Sequence, residues 1–119
     1  MIEKKIIKKK LSFAEIEFEI QPVGEDILIV IRGGEKSHIG SCVMAVPRPS
    51  LADNKKISCT SSVLNVVGHK DENICRMVAE NFCKKFQVTA VCTGGFHVDN
   101  LTPEKISEVI SACELIENF

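Results

Sequence analysis

The stretch DENICRMVAENFCKKFQVTAVC, residues 71–92, decides the fold, because the spacing of its apolar residues changes part-way along. Ile74, Cys75, Val78, Phe82 and Phe86 recur every three or four residues and make one stripe of a helix over 71–86. Asp71 at its head suits a cap, and Lys84 and Lys85 at its foot suit the negative end of the helix dipole. QVTAVC (87–92) is too short for a second helix and reads as a buried strand. Downstream, Thr102, Pro103 and Glu104 are a helix start: a cap, a proline pre-set for the first turn, then an acid. Ile106, Val109, Ile110, Cys113 and Ile116 supply that helix with its buried stripe.

Upstream the period is two. In AEIEFEI (14–20), Ile16, Phe18 and Ile20 face one way while Glu15, Glu17 and Glu19 face the other, as in a strand with one wet face. QPVGED (21–26) offers a turn, and ILIVI (27–31) is a strand buried on both faces, so the two form a hairpin. IGSCVMAV (39–46) is a third strand, PRPSLADNKK (47–56) a mobile loop, and ISCTSSVLNVV (57–67) a further strand. The lysine-rich residues 1–10 read as an edge strand or a frayed arm. The segment 57–92 is long enough for a right-handed crossover between two parallel neighbouring strands. The expected architecture is a single α/β domain over 1–119. It is a two-layer sandwich, a mixed, mostly antiparallel sheet with the two helices on one face. The glutamates ask for water on the other face and ILIVI asks for cover; a homodimer burying part of that face satisfies both.

Composition removes several function classes. With 45% apolar residues, 26% charged and a net charge of −1, the chain is of ordinary globular type and carries no global attraction to nucleic acid. It has no Trp or Tyr for base stacking, and no apolar run approaches the ~20 residues that span a membrane. The start MIEKKIIKKK lacks the apolar core of a secretion signal. The six cysteines form no CxxC pair and fall among apolar neighbours, so reduced, mostly buried thiols in a cytoplasmic protein are expected.

All three histidines lie beside glycine near the end of a strand: GGEKSHIG (33–40), VVGHKDEN (66–73) and CTGGFHVDN (92–100). If the strands 57–67 and 87–92 are parallel neighbours, His69 and His97 emerge at one sheet edge, where α/β sheets bind ligands. Three chemistries are open. Histidines with Asp71 or Asp99 suit a metal, though no HxH or HExxH spacing fixes its geometry. One histidine oriented by an aspartate suits acid–base work, but no nucleophile motif accompanies it. Backbone N–H groups at the helix starts, with Gly94, Gly95, His69 and Lys70, suit a phosphate. The plain alternative is that each motif serves a turn or a cap; for GGEKSHIG that is a hairpin turn.

Taken together, GGEKSHIGSCVMAVPRP (33–49), VVGHKDENICRMVAENFCKKF (66–86) and GGFHVDNLTPEKI (94–106) resemble the small LpdD-like proteins over about residues 26–116. These are prenylated-flavin chaperones whose fold is similar to that of proteasome assembly chaperones. The resemblance implies a two-layer α/β fold, dimerisation and an accessory rather than catalytic role beside a UbiD-type decarboxylase. FMN or prenylated FMN is the ligand it implies. It marks Gly33, Gly34, His38, Gly40, Gly68, His69, Lys70, Asp71, Gly94, Gly95, His97 and Asp99 as ligand or partner contacts.

Overall fold

The computed structural model describes residues 2–53, 55–66 and 71–119. Its strands are β1 (Lys5–Lys10), β2 (Glu15–Val23), β3 (Asp26–Gly33), β4 (Ser41–Pro49), β5 (Ile57–Asn65) and β6 (Ala90–Gly94). The helices are α1 (Glu72–Phe86) and α2 (Pro103–Cys113), followed by a short 3-10 turn at Ile116–Asn118. One mixed sheet carries all six strands in the order β1-β2-β3-β6-β4-β5. Among the described residues, β3 and β6 are the one parallel pair; the other neighbours are antiparallel. The two-layer α/β sandwich read from the sequence is the fold observed.

The core lies between the sheet and the helices. Ile16, Phe18, Ile20, Ile27, Ile29 and Ile31 project into it from β2 and β3, and Val109, Ala112 and Cys113 of α2 share it. Helix α1 lies over β4, β6 and β5. The buried residues there include small ones on both sides, Ala45, Ala90 and Cys92 on the strands and Cys75, Ala79 and Cys83 on the helix, beside the larger Val43, Ile74, Val78 and Phe82.

The position of β6 corrects three expectations. It is inserted between β3 and β4, so the strand at 57–65 is not its neighbour; the two run in the same direction with β4 between them. For the same reason GGEKSHIG is no hairpin turn, because β3 and β4 are not paired and residues 34–40 must bridge the end of β6. β6 itself begins at Ala90, since Gln87 ends α1 in the left-handed conformation (φ 57°). Strand β4 also runs on through Pro47 and Pro49. Its pairing with β6 stops at Ala45, so both prolines lie where β4 pairs with β5 alone. The lysine-rich start is an edge strand, paired only with β2.

The face away from the helices divides in two. Over β2 and β3, the Arg32 guanidinium lies 3.0 Å from both Glu17 and Glu19 and offsets part of their charge, with Lys8 3.9 Å from Glu17. Over β4 and β5, the apolar Met44, Val46 and Leu64 stay exposed.

All six cysteines are free thiols; Cys75, Cys83, Cys92 and Cys113 are buried, while Cys42 and Cys59 are half-buried. Burial pushes the Cys83 thiol up to about 11 and Cys113 up to about 12. Burial, with the Cys75 thiol beside it, drives Cys92 well above its ordinary value. At mildly alkaline pH, Ellman's reagent should therefore modify Cys42 and Cys59 first and the four buried thiols only after denaturant is added. Rapid modification of all six in the folded protein would contradict this core.

Candidate functional site

Strands β3, β5 and β6 all end at one edge of the sheet, β4 starts there, and α1 begins above it. Because residues 34–40 cross the end of β6, they meet the segment leaving β6. Glu35 N–H donates to the His97 carbonyl at 2.7 Å, and Gly40 N–H donates to the Gly94 carbonyl at 2.9 Å. His38 and His97 are thereby brought together, their ring centroids 6.1 Å apart and their planes nearly perpendicular.

Asp71 joins these segments to α1. Its carboxylate is 7% exposed, and its two oxygens meet different groups. Oδ1 accepts from Phe96 N–H at 2.9 Å, and Oδ2 lies 3.0 Å from His38 Nε2. A buried carboxylate without donors is costly, so these contacts fix where it rests. The expected cap is therefore corrected: Asp71 precedes α1, but its side chain makes no capping hydrogen bond because the carboxylate is turned to the 95–96 backbone and to His38. Thr102 does cap α2, accepting from Lys105 N–H at 3.2 Å.

The glycines show why the motifs are written as they are. A Cβ at Gly40 would lie 2.0 Å from Asp71 Oδ2; one at Gly95 would lie 2.7 Å from the same oxygen and 2.8 Å from His38 Nε2. Both positions are empty of side chain because the carboxylate and imidazole fill that space. Gly34 has φ +81°, and a Cβ there would meet the His97 carbonyl oxygen at 2.0 Å. Gly33 closes β3 beneath the Phe96 ring, and Gly94 closes β6 against the Ile31 carbonyl.

His97 is looser. Its Nε2 lies 3.1 Å from Asp99 Oδ1, both side chains being well exposed. Gly68, His69 and Lys70 lie outside the described residues. Among the described residues no group of three or more His, Cys, Asp or Glu side chains is arranged to hold a metal ion.

Beside the histidines opens a cavity of about 370 Å³. His38, Asp71, Asn73 and His97 form its polar end; Ile74, Phe96, Leu101, Ile106, Val109 and Ile110 form its apolar wall. Ligand pockets typically combine such a wall with a few convergent polar groups. The sequence pattern assigned Ile106 and Ile110 to the core stripe of α2, yet they are 44% and 37% exposed. The signal was present: with Val109 and Cys113 they make an apolar band wider than one core contact uses. A second hollow of about 520 Å³, between the β2–β3 turn and the end of α1, gathers none of the histidine motifs.

The sequence profile described as the prenylated flavin chaperone LpdD-like domain matches residues 11–118. The chain belongs to the LpdD-like family. The matched span of this LpdD-like chain starts in the loop before β2 and takes in every segment that builds the cavity. Among curated proteins none matches. Among solved structures, a chain from a chaperone complex for yeast 20S proteasome assembly is similar in fold, with a TM-score of 0.52 at 12% identity. The alignment covers 92% of this chain and 91% of that one.

Asp71→Ala removes the acceptor of a buried N–H and should cost about 1–3 kcal/mol of stability in urea unfolding. Asp71→Asn, which keeps an oxygen for Phe96 N–H, should recover part of that loss. If both variants unfold at the wild-type midpoint, the carboxylate does not organise these loops.

Proposed function

We propose that this LpdD-like chain is a cytoplasmic accessory chaperone that holds a prenylated flavin and passes it to a UbiD-type decarboxylase, working as a homodimer. The observation that carries the reading is the two-ended cavity, with polar His38, Asp71, Asn73 and His97 facing the apolar wall of Ile74 and α2. Flavin rings bearing an added isoprenoid group are flat, largely apolar and edged with hydrogen-bonding atoms, and the residues present fit that portion of the molecule. They do not fit the phosphate: no Lys or Arg is among the described lining residues, and the Asp71 carboxylate repels it. On the sequence pattern the phosphate is assigned to Gly68, His69 and Lys70, which lie outside the described residues.

Once transferred, the cofactor would supply decarboxylation chemistry to the partner enzyme. This chain's residues bind and shield. Ile106 and Ile110 exclude water from the apolar group, and Asn73 and His97 offer hydrogen bonds at the ring edge. Asp71 holds His38 in one orientation, and the crossing at Gly33, Gly34, Gly94 and Gly95 keeps the polar end together.

Titration with FMN and with prenylated FMN, followed by flavin fluorescence, tests this. Prenylated FMN should bind more tightly than FMN, and Ile110→Asp should weaken it by about tenfold or more, the worth of one apolar contact turned polar. His97→Ala should weaken both ligands equally. Saturable binding of neither flavin, or binding untouched by Ile110→Asp, would sink the proposal.

A further inference from the structure

The two edges of the sheet are unlike. β1 carries Lys5, Lys8, Lys9 and Lys10 along six residues, a row of like charge that discourages strand pairing. β5, at the other edge, has no charged residue and no proline from Ile57 to Asn65, and among the described residues no strand pairs with its outer side. Its exposed residues are Thr60, Ser62, Leu64 and Asn65, and Leu64 is 76% exposed.

Helix α1 lays a charge pattern alongside that bare edge. Glu80 accepts from Ser61 Oγ at 2.6 Å, and Glu72 accepts from Asn65 Nδ2 at 2.7 Å. α1 thus runs antiparallel to β5, and Arg76, midway between the two acids, lies level with Val63. Arg76 Nη2 bonds Glu72 at 2.5 Å and remains 43% exposed.

We propose that β5 is a self-association edge, pairing antiparallel with β5 of a second copy about a two-fold axis at Ser62. This specifies the two-copy state proposed above and is independent of the cavity's ligand. The register follows from charge. With Ser62 opposite the partner's Ser62, Ser61 faces the partner's Val63, so Glu80 comes beside the partner's Arg76, and the pair occurs twice by symmetry. A shift of the axis to Ser61 would set Glu80 against the partner's Glu80. A shift to Val63 would set Arg76 against the partner's Arg76. The outer face agrees: Leu64 gains the partner's Thr60, whose neighbour across the strand is the partner's Val46, so the apolar strip running from Cys42 continues across the axis. At the far ends the lysine-bearing β1 strands stop further pairing, and the assembly closes at two.

Cross-linking of the full chain reads the register directly. Opposed Cα atoms on paired strands lie about 4.5–5.5 Å apart, within disulfide range. Ser62→Cys, an exposed and conservative change, should give a covalent dimer under mild oxidation by oxidised glutathione. Thr60→Cys, about 14 Å from its own copy along the strands, and the wild type with its native thiols should not. Arg76→Glu and Glu80→Arg should each weaken self-association in sedimentation by about tenfold, and an equimolar mixture of the two should recover it. A wild-type chain that stays monomeric at high micromolar concentration overturns the proposal. So does a dimer in which Ser62→Cys cross-links no better than Thr60→Cys, or one that both single charge variants leave unchanged. Flavin titration of the Ser62→Cys protein reports on the cavity separately, so failure of one proposal is distinguishable from failure of the other.

Discussion

One buried carboxylate organises the end of this molecule where everything converges. Asp71 holds the 95–96 backbone through one oxygen and faces His38 through the other. It therefore ties the crossover from β3 to β4, the exit of β6 and the start of α1 into one unit. Gly40 and Gly95 are the spaces left for it. The cavity follows from the same constraint, because it forms where the tied segments and α2 fail to fill the corner between them. The polar end of that cavity is thus tied together, while the part of its apolar wall that α2 supplies is anchored elsewhere: Glu108 of α2 accepts from Ser12 N–H and Ser12 Oγ at 2.9 and 2.6 Å.

Period and capping residues made most of the elements legible. The alternation at Ile16, Phe18 and Ile20, the stripe from Ile74 to Phe82 and the start at Thr102 each describe local geometry, and each is found where the pattern puts it. The order of strands was not legible, because neighbourhood in a sheet is a long-range property. Nothing in IGSCVMAV states that QVTAVC will lie beside it, and a hairpin is the shortest path between two strands joined by GGEKSHIG. Pro47 misled in the same way, since a proline ends a strand only where its missing N–H has a partner to lose.

The site was half legible. Glycine beside histidine marked the end of the sheet where His38 and His97 meet, whereas the parallel pairing invoked for it was wrong: β5 and β6 share a direction but β4 lies between them. The role of Asp71 was hidden because an aspartate before a helix looks like a cap, and only the folded chain shows a stronger claim on its oxygens. Ile106 and Ile110 were hidden because a lining wall and a core stripe have the same composition; exposure separates them, and sequence carries no measure of it. The family match over residues 11–118 and the fold shared with a chain of a yeast proteasome-assembly chaperone complex agree on the same α/β scaffold.

The insertion of β6 between β3 and β4 also sets a timetable. As the chain leaves the ribosome, β1 to β3 can assemble from local contacts, and so can β4 with β5. Neither half can join the other until residues 90–94 arrive to fill the slot. Until then the inner edges of β3 and β4, rich in isoleucine and valine, have no partner. Long-range pairing of this kind slows folding and leaves open strands exposed to neighbouring chains. This chain passes through its most vulnerable state late in synthesis, with about three-quarters of its sequence already made.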